Sequence, residues 1–108
     1  MLTDDLSCIT DAEGYLCNLQ DWSPVVAQQL AAQDNVTLTE AHWEIIYFLR
    51  DYYAQYQIAP PMRTLTRKIG AILGQDKASS RYLYRLFPYG PAKQASRYAG
   101  LPKPTRCL

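Results

Sequence analysis

A chain of 108 residues with 48% hydrophobic and 19% charged side chains carries enough apolar material for one core and too little for two, which excludes general disorder and predicts a single domain over residues 1–108. No run approaches the roughly 20 consecutive apolar residues that cross a bilayer, and Met1 to Leu6 holds an acidic pair where a secretory signal is basic, so a cytoplasmic address without a membrane partner is expected. The net charge of +1 conceals a division: nine acids and one base, Arg50, lie up to Gln57, and one acid, Asp76, with ten bases lies beyond it, so the halves either attract each other or offer a basic face to an acidic partner or RNA.

The expected fold class is mainly α, a small domain of about five helices with an N-terminal β-hairpin region (residues 1–18) and an extended C-terminal arm (residues 100–108). Ser7–Thr10 and Tyr15–Cys17 flank Asp11-Ala12-Glu13-Gly14, a turn signal that predicts the hairpin. A four-residue loop sets Thr10 opposite Tyr15, Ile9 opposite Leu16 and Cys8 opposite Cys17. Opposed Cβ atoms lie about 4.5–5.5 Å apart, beyond the roughly 3.8 Å of a disulfide, so both cysteines are expected to be small structural side chains. Ser23-Pro24 caps a first helix that runs to Asp34-Asn35. Thr39 caps a second, from Glu40 to about Gln57, whose aromatic stripe (Trp43, Tyr47, Phe48, Tyr53, Tyr56) reads as packing rather than as a stacking platform. After Pro60-Pro61, Met62 to Leu73 forms a third helix with Leu65, Ile69, Ile72 and Leu73 inward, closed by Gly74. Its Arg63, Arg67 and Lys68 make the corner superficially similar to a DNA-binding helix-turn-helix, a feature shared by many helical domains that never touch DNA. Ser79 or Ser80 opens a fourth helix stopped by Pro88, and Gly90-Pro91 a fifth that ends at Gly100.

Chemistry concentrates in the tail. Cys107 stands one residue from the end, beyond Pro102 and Pro104, which keep the tail extended. A thiol there is able to enter a partner's pocket; the alternative is a tail whose cysteine is incidental. Lys103, Arg106 and Arg97 are the candidate binding groups, able to favour the thiolate, which the terminal carboxylate opposes. The three cysteines contain no C-x-x-C pair and His42 is the sole histidine, so no structural metal is expected and no Ser-His-Asp or Cys-His machinery is assembled. His42, in the first turn of a helix, is expected to make a surface or capping contact.

Gly14-Tyr15-Leu16, His42-Trp43-Glu44-Ile45-Ile46, Ser80-Arg81-Tyr82-Leu83-Tyr84-Arg85-Leu86-Phe87-Pro88, Gly90-Pro91-Ala92-Lys93-Gln94-Ala95 and the ending Ala99 to Leu108 resemble the DsrC/TusE family over essentially the whole chain. The resemblance implies a sulfurtransferase without a cofactor, which takes persulfide sulfur on Cys107 from a relay complex of the TusBCD or DsrEFH kind. In the TusE branch the sulfur passes to the tRNA thiouridylase that makes wobble 2-thiouridine, so tRNA is met indirectly. The DsrC branch is implied to use a second arm cysteine, ten intervening residues before the penultimate one, in partnership with dissimilatory sulfite reductase. Here that position is Ser96, and a hydroxyl forms no disulfide, which favours TusE. Two alternatives stay open: the DsrC-type partner, decided by the native codon at position 96, and a DNA-binding regulator using Arg63, Arg67 and Lys68.

Overall fold

The computed structural model describes residues 9–104, and among them it has five α-helices: α1 (Pro24–Gln33), α2 (Glu40–Tyr56), α3 (Met62–Ile72), α4 (Ser80–Leu86) and α5 (Pro91–Tyr98), with 3-10 turns at Leu19–Asp21 and Gln75–Lys77. The helix starts follow from local chemistry. Ser23 Oγ accepts the Val26 N–H at 3.2 Å ahead of Pro24, and Ser79 Oγ accepts the Tyr82 N–H at 3.1 Å, each satisfying an amide that the first turn leaves without a partner. α2 ends where Gln57 turns into the left-handed region at φ 63°.

A short helix, α5, occupies the centre. α5 packs against α1, α2, α3 and α4, and Pro91, Gln94, Ala95, Ser96 and Tyr98 are all buried on it. Around it close Leu30 of α1, Ile45, Ile46 and Leu49 of α2, Leu65 and Ile69 of α3, and Leu83 with Phe87, all wholly shielded from solvent. Full burial of each such side chain is worth about 1.5–3 kcal/mol, which is what holds the four other helices to an eight-residue helix too short to persist alone.

The N-terminal hairpin differs from expectation. Among the described residues there is a single antiparallel bridge, Thr10 with Leu16, and no strand. Asp11 N–H donates to the Tyr15 carbonyl at 2.8 Å, Gly14 N–H to the Asp11 carbonyl at 3.0 Å and Cys17 N–H to the Ile9 carbonyl at 2.9 Å. The loop is therefore a three-residue turn with Gly14 as a bulge at φ 87°, and this moves every partner by one residue relative to the four-residue reading. Cys17 meets Ile9 and is exposed rather than packed; Cys8 lies outside the described residues.

Two other corrections concern exposure. Ile72, expected inward, is 64% exposed, because it is the last residue of α3 and sits beside Tyr52 and Tyr56 in a shallow groove. Tyr47 and Tyr56 are also exposed: the face that α2 buries carries His42, Ile45, Ile46, Leu49 and Tyr52, and the aromatic stripe is wider than that face.

The charge division resolves in part as attraction between halves. Each ion pair among the described residues joins an early acid to a late base: Glu44 with Lys77 at 2.7 Å, Glu13 with Lys103 at 3.0 Å, and Asp34 with Arg97. Such pairs contribute at most about 1 kcal/mol each when exposed. Arg63, Arg67, Arg81, Arg85 and Lys93 have no acidic partner among the described residues.

His42 is buried, correcting the surface half of its expected role, and the capping half holds. The Thr39 backbone N–H donates to His42 Nδ1 at 3.0 Å, so Nδ1 is the bare nitrogen; Nε2 carries the proton and donates to the Leu86 carbonyl at 2.8 Å, tying α2 to α4. The ring stands edge-on to Phe87. Burial pushes its pKa below the usual 6.5, with the Leu86 bond opposing that shift. The unfolded chain then binds the extra proton first, so the stabilisation is complete above about pH 6.5 and is lost as pH falls through the lowered folded value. A urea-unfolding midpoint measured against pH should decline on the acid side of neutrality. His42→Gln, which keeps an acceptor for Thr39, should flatten that decline; equal slopes for both proteins would exclude His42 as its source.

Candidate functional site: the root of the arm

The last turn of α5 is closed by four separate donors. Leu101 N–H reaches the Ser96 carbonyl at 3.0 Å and Gly100 N–H the Arg97 carbonyl at 3.1 Å, the paired bonds of a helix end with glycine in the left-handed region, here φ 76°. Trp22 Nε1 donates to the Tyr98 carbonyl and Arg50 Nη1 to the Ala99 carbonyl, both at 2.7 Å. Arg50 also lies over the Trp22 ring, 3.9 Å from its centroid, and Trp22 covers the bare face of Gly100. No carbonyl of this turn is left without a partner, and Leu101 is buried after it. The arm thus leaves the domain from a fixed point, and Arg50, the one early base, is consumed in fixing it.

Beside this point opens a cleft of about 230 Å³ lined by Glu13, Tyr15, Asp34, Tyr89, Lys93, Gln94, Arg97 and Lys103. A hydrogen-bond chain builds its wall. Arg97 pairs with Asp34; the Tyr98 hydroxyl donates to the same carboxylate oxygen at 2.6 Å; Gln94 Nε2 donates to the Tyr98 hydroxyl, and Gln94 Oε1 accepts the Tyr89 N–H, both at 2.7 Å. Burial, reinforced by the bond to Asp34, pushes the Tyr98 phenol well above its usual range, so it remains a donor. Gly14 admits the Arg97 side chain: a Cβ there would stand 3.1 Å from Nη1. Tyr15 is buried against the same wall and its hydroxyl donates to the Lys93 carbonyl at 3.4 Å.

The structure brings two of the sequence-predicted site residues together. Arg97 and Lys103 share the cleft, but each already has a carboxylate, Asp34 and Glu13 respectively; Lys93, which the sequence reading passed over, is the cleft cation with no acidic partner among the described residues. Arg106 and Cys107 lie outside the described residues. Trp22, Arg50, Asp34 and Gln94 were also missed; Gln94 and Tyr15 stand inside the segments that carry the family resemblance, which was the available signal.

Ser96 is wholly buried in α5, and its Oγ has no hydrogen-bond partner among the described residues. A buried hydroxyl without a partner costs about 1–3 kcal/mol of lost hydration, and alanine is the better helix former. Ser96→Ala is expected to raise the stability by about 1 kcal/mol, read as a higher urea midpoint at unchanged slope. A lower midpoint would mean that the hydroxyl has a partner after all.

The model of the DsrC-like protein family aligns with residues 3–108. The chain belongs to that family. Among its relatives, the Sulfurtransferase TusE proteins of Sodalis glossinidius and Yersinia pseudotuberculosis are each 52% identical over 99 residues, 92% of this chain and 92% of theirs. Among solved structures, the Allochromatium vinosum DsrC NMR structure superposes with a TM-score of 0.85 at 64% identity over 92% of this chain and 88% of that one. The oxidized gamma-subunit of dissimilatory sulfite reductase (DsrC) from Archaeoglobus fulgidus gives 0.79 at 43% identity over 92% and 90%. No helix among the described residues is long and apolar enough to cross a membrane.

Proposed function

We propose that this protein is a TusE-type sulfurtransferase in which Cys107 carries the sulfur. The observation that carries the reading is the pairing of TusE relatives at 52% identity over nearly the whole chain with a single arm thiol, since serine occupies position 96. The Cys107 thiolate attacks the outer sulfur of a donor persulfide; the donor's S–S bond breaks and its thiolate leaves, and Cys107 holds S–SH. An acceptor thiolate then attacks that outer sulfur and Cys107 returns as thiolate. Both steps exchange one S–S bond for another, so no external oxidant, reductant or cofactor enters.

Lys103, Arg106 and Arg97 are proposed to steady the anionic sulfur and the docked partner, with Lys93 available without breaking an ion pair. The proposed setting is cytoplasmic, between an upstream sulfur-relay complex and a tRNA thiouridylase. Intact mass spectrometry after exposure to a persulfide donor tests it: one added sulfur atom, mapped to Cys107 and lost on reduction, is expected. An unmodified protein, or sulfur on Cys17 instead, would overturn the assignment.

The 64% identity to the Allochromatium DsrC favours a second reading, a partner of dissimilatory sulfite reductase. That chemistry needs a second arm thiol. Only Ser96→Cys, then, should form a reducible disulfide with Cys107, and a native cysteine codon at position 96 would favour this reading.

A further inference from the structure

A second groove, of about 280 Å³, runs between Met62 at the start of α3, Tyr84 on the outer side of α4, and Tyr89 to Lys93 at the start of α5. Its two tyrosines are unusually available. Tyr84 is 49% and Tyr89 69% exposed, and neither ring has an aromatic, cationic or hydroxyl partner among the described residues. Arg81 and Arg85 precede and follow Tyr84 on the same outer side of α4, exposed, while Leu83 and Phe87 face the core. Arg63, beside Met62, is likewise exposed, and with Lys93 these make four cations without an acidic partner among the described residues. Three ion pairs occupy Glu13, Asp34 and Glu44, the one acid beyond Gln57, Asp76, sits in the 3-10 turn Gln75–Lys77, and among the described residues the groove lining itself carries no carboxylate. The groove shares Tyr89 and Lys93 with the cleft at the root of the arm.

We infer that this face binds the unpaired loop of an RNA, with Tyr84 and Tyr89 stacking splayed bases and Arg63, Arg81, Arg85 and Lys93 taking the phosphates. Free aromatic rings among unspent cations suit single-stranded nucleic acid, whose bases offer π-faces; a duplex keeps those faces stacked and an acidic peptide has none. The inference rests on the sulfur-to-tRNA reading and adds to it direct contact with the nucleic acid, next to the point from which the arm departs.

The test is fluorescence anisotropy with an unmodified anticodon stem-loop whose first anticodon base is uridine. Four phosphate contacts predict a slope of about −3 in log affinity against log salt, about 50-fold weaker binding on going from about 50 to about 200 mM salt. Arg81→Gln with Arg85→Gln should reduce that slope by about 1.4. Tyr84→Ala, a surface change outside the arm-root cleft, should weaken binding about 5-fold or more. No saturable binding, binding of duplex DNA of equal length as tightly as the loop, displacement by polyglutamate at equal charge, or indifference to Tyr84→Ala would each overturn the inference. Sulfur loading of Cys107 is followed in the same samples: loading without RNA binding removes the RNA face alone, and RNA binding without loading removes the sulfur reading alone.

Discussion

Cys107→Ser is expected to give a protein that folds and melts like the wild type yet takes up no sulfur. The energetic side is simple: the core clusters about α5, and the helix end is closed by Trp22, Arg50, Gly100 and Leu101. The chemical side is all-or-none, because a serine hydroxyl is not a nucleophile toward sulfane sulfur at neutral pH and cannot be replaced by Ser96, a buried hydroxyl. The check combines a thermal melt with intact mass after persulfide treatment, followed by transfer to an acceptor thiol. Residual loading at Cys17, which is exposed, would appear as sulfur on the wrong peptide; loading of the variant at the wild-type level would remove Cys107 from the mechanism. Thiolate supply should also show in the pH profile of loading, rising with pH until the thiol is fully ionised.

Gly100→Ala is expected to be the most damaging single methyl group in the domain. At φ 76° an L-residue carries a backbone penalty of about 1–2 kcal/mol. The new Cβ would also stand 2.5 Å from Trp22 Cδ1 and under 3 Å from Cγ and Cβ. The indole is not free to retreat, since Nε1 is bonded to the Tyr98 carbonyl, Arg50 is stacked on its face and Tyr47 meets its edge. Overpacking of this kind costs about 1–3 kcal/mol more. The sum, about 2–5 kcal/mol, should lower the melting temperature by roughly 10 °C or more. Because the strain is placed where the arm begins, sulfur transfer should fall more than stability alone explains, which a comparison with an equally destabilising core variant such as Leu49→Ala would reveal. Equal melting temperatures for Gly100→Ala and wild type would show that Trp22 has somewhere to go.

Much of this architecture was legible from local chemistry. Ser23-Pro24, Thr39, Ser79 and Gly90-Pro91 each open a helix because a side-chain acceptor or a preset φ is worth most where amides have no partner, and the observed starts fall on them. The hairpin register escaped because Asp11-Ala12-Glu13-Gly14 permits two loops differing by one residue, and the choice of Gly14 as a bulge lets Arg97 lie across it, a contact from the other end of the chain. The central place of α5 escaped for a related reason: eight residues carrying Lys93, Gln94, Ser96 and Arg97 look amphipathic, and only the convergence of four helices buries Gln94 and Ser96. His42 in a capping position departs from the usual Glu or Gln, and no short-range rule places Leu86 next to it. At the site, residue types were readable and partners were not; Arg97 and Lys103 were candidates as free cations and proved to be tied to Asp34 and Glu13.

The clamped exit of the chain at Leu101 imposes a limit on traffic. Cys107 is the sixth residue after that anchor, so however the intervening chain is arranged the sulfur stays within about 20 Å of one stationary pivot. Giver and receiver must each bring a sulfur atom inside this sphere. Hand-over therefore favours successive visits to one shared landing ground over a shuttle between opposite poles of the molecule.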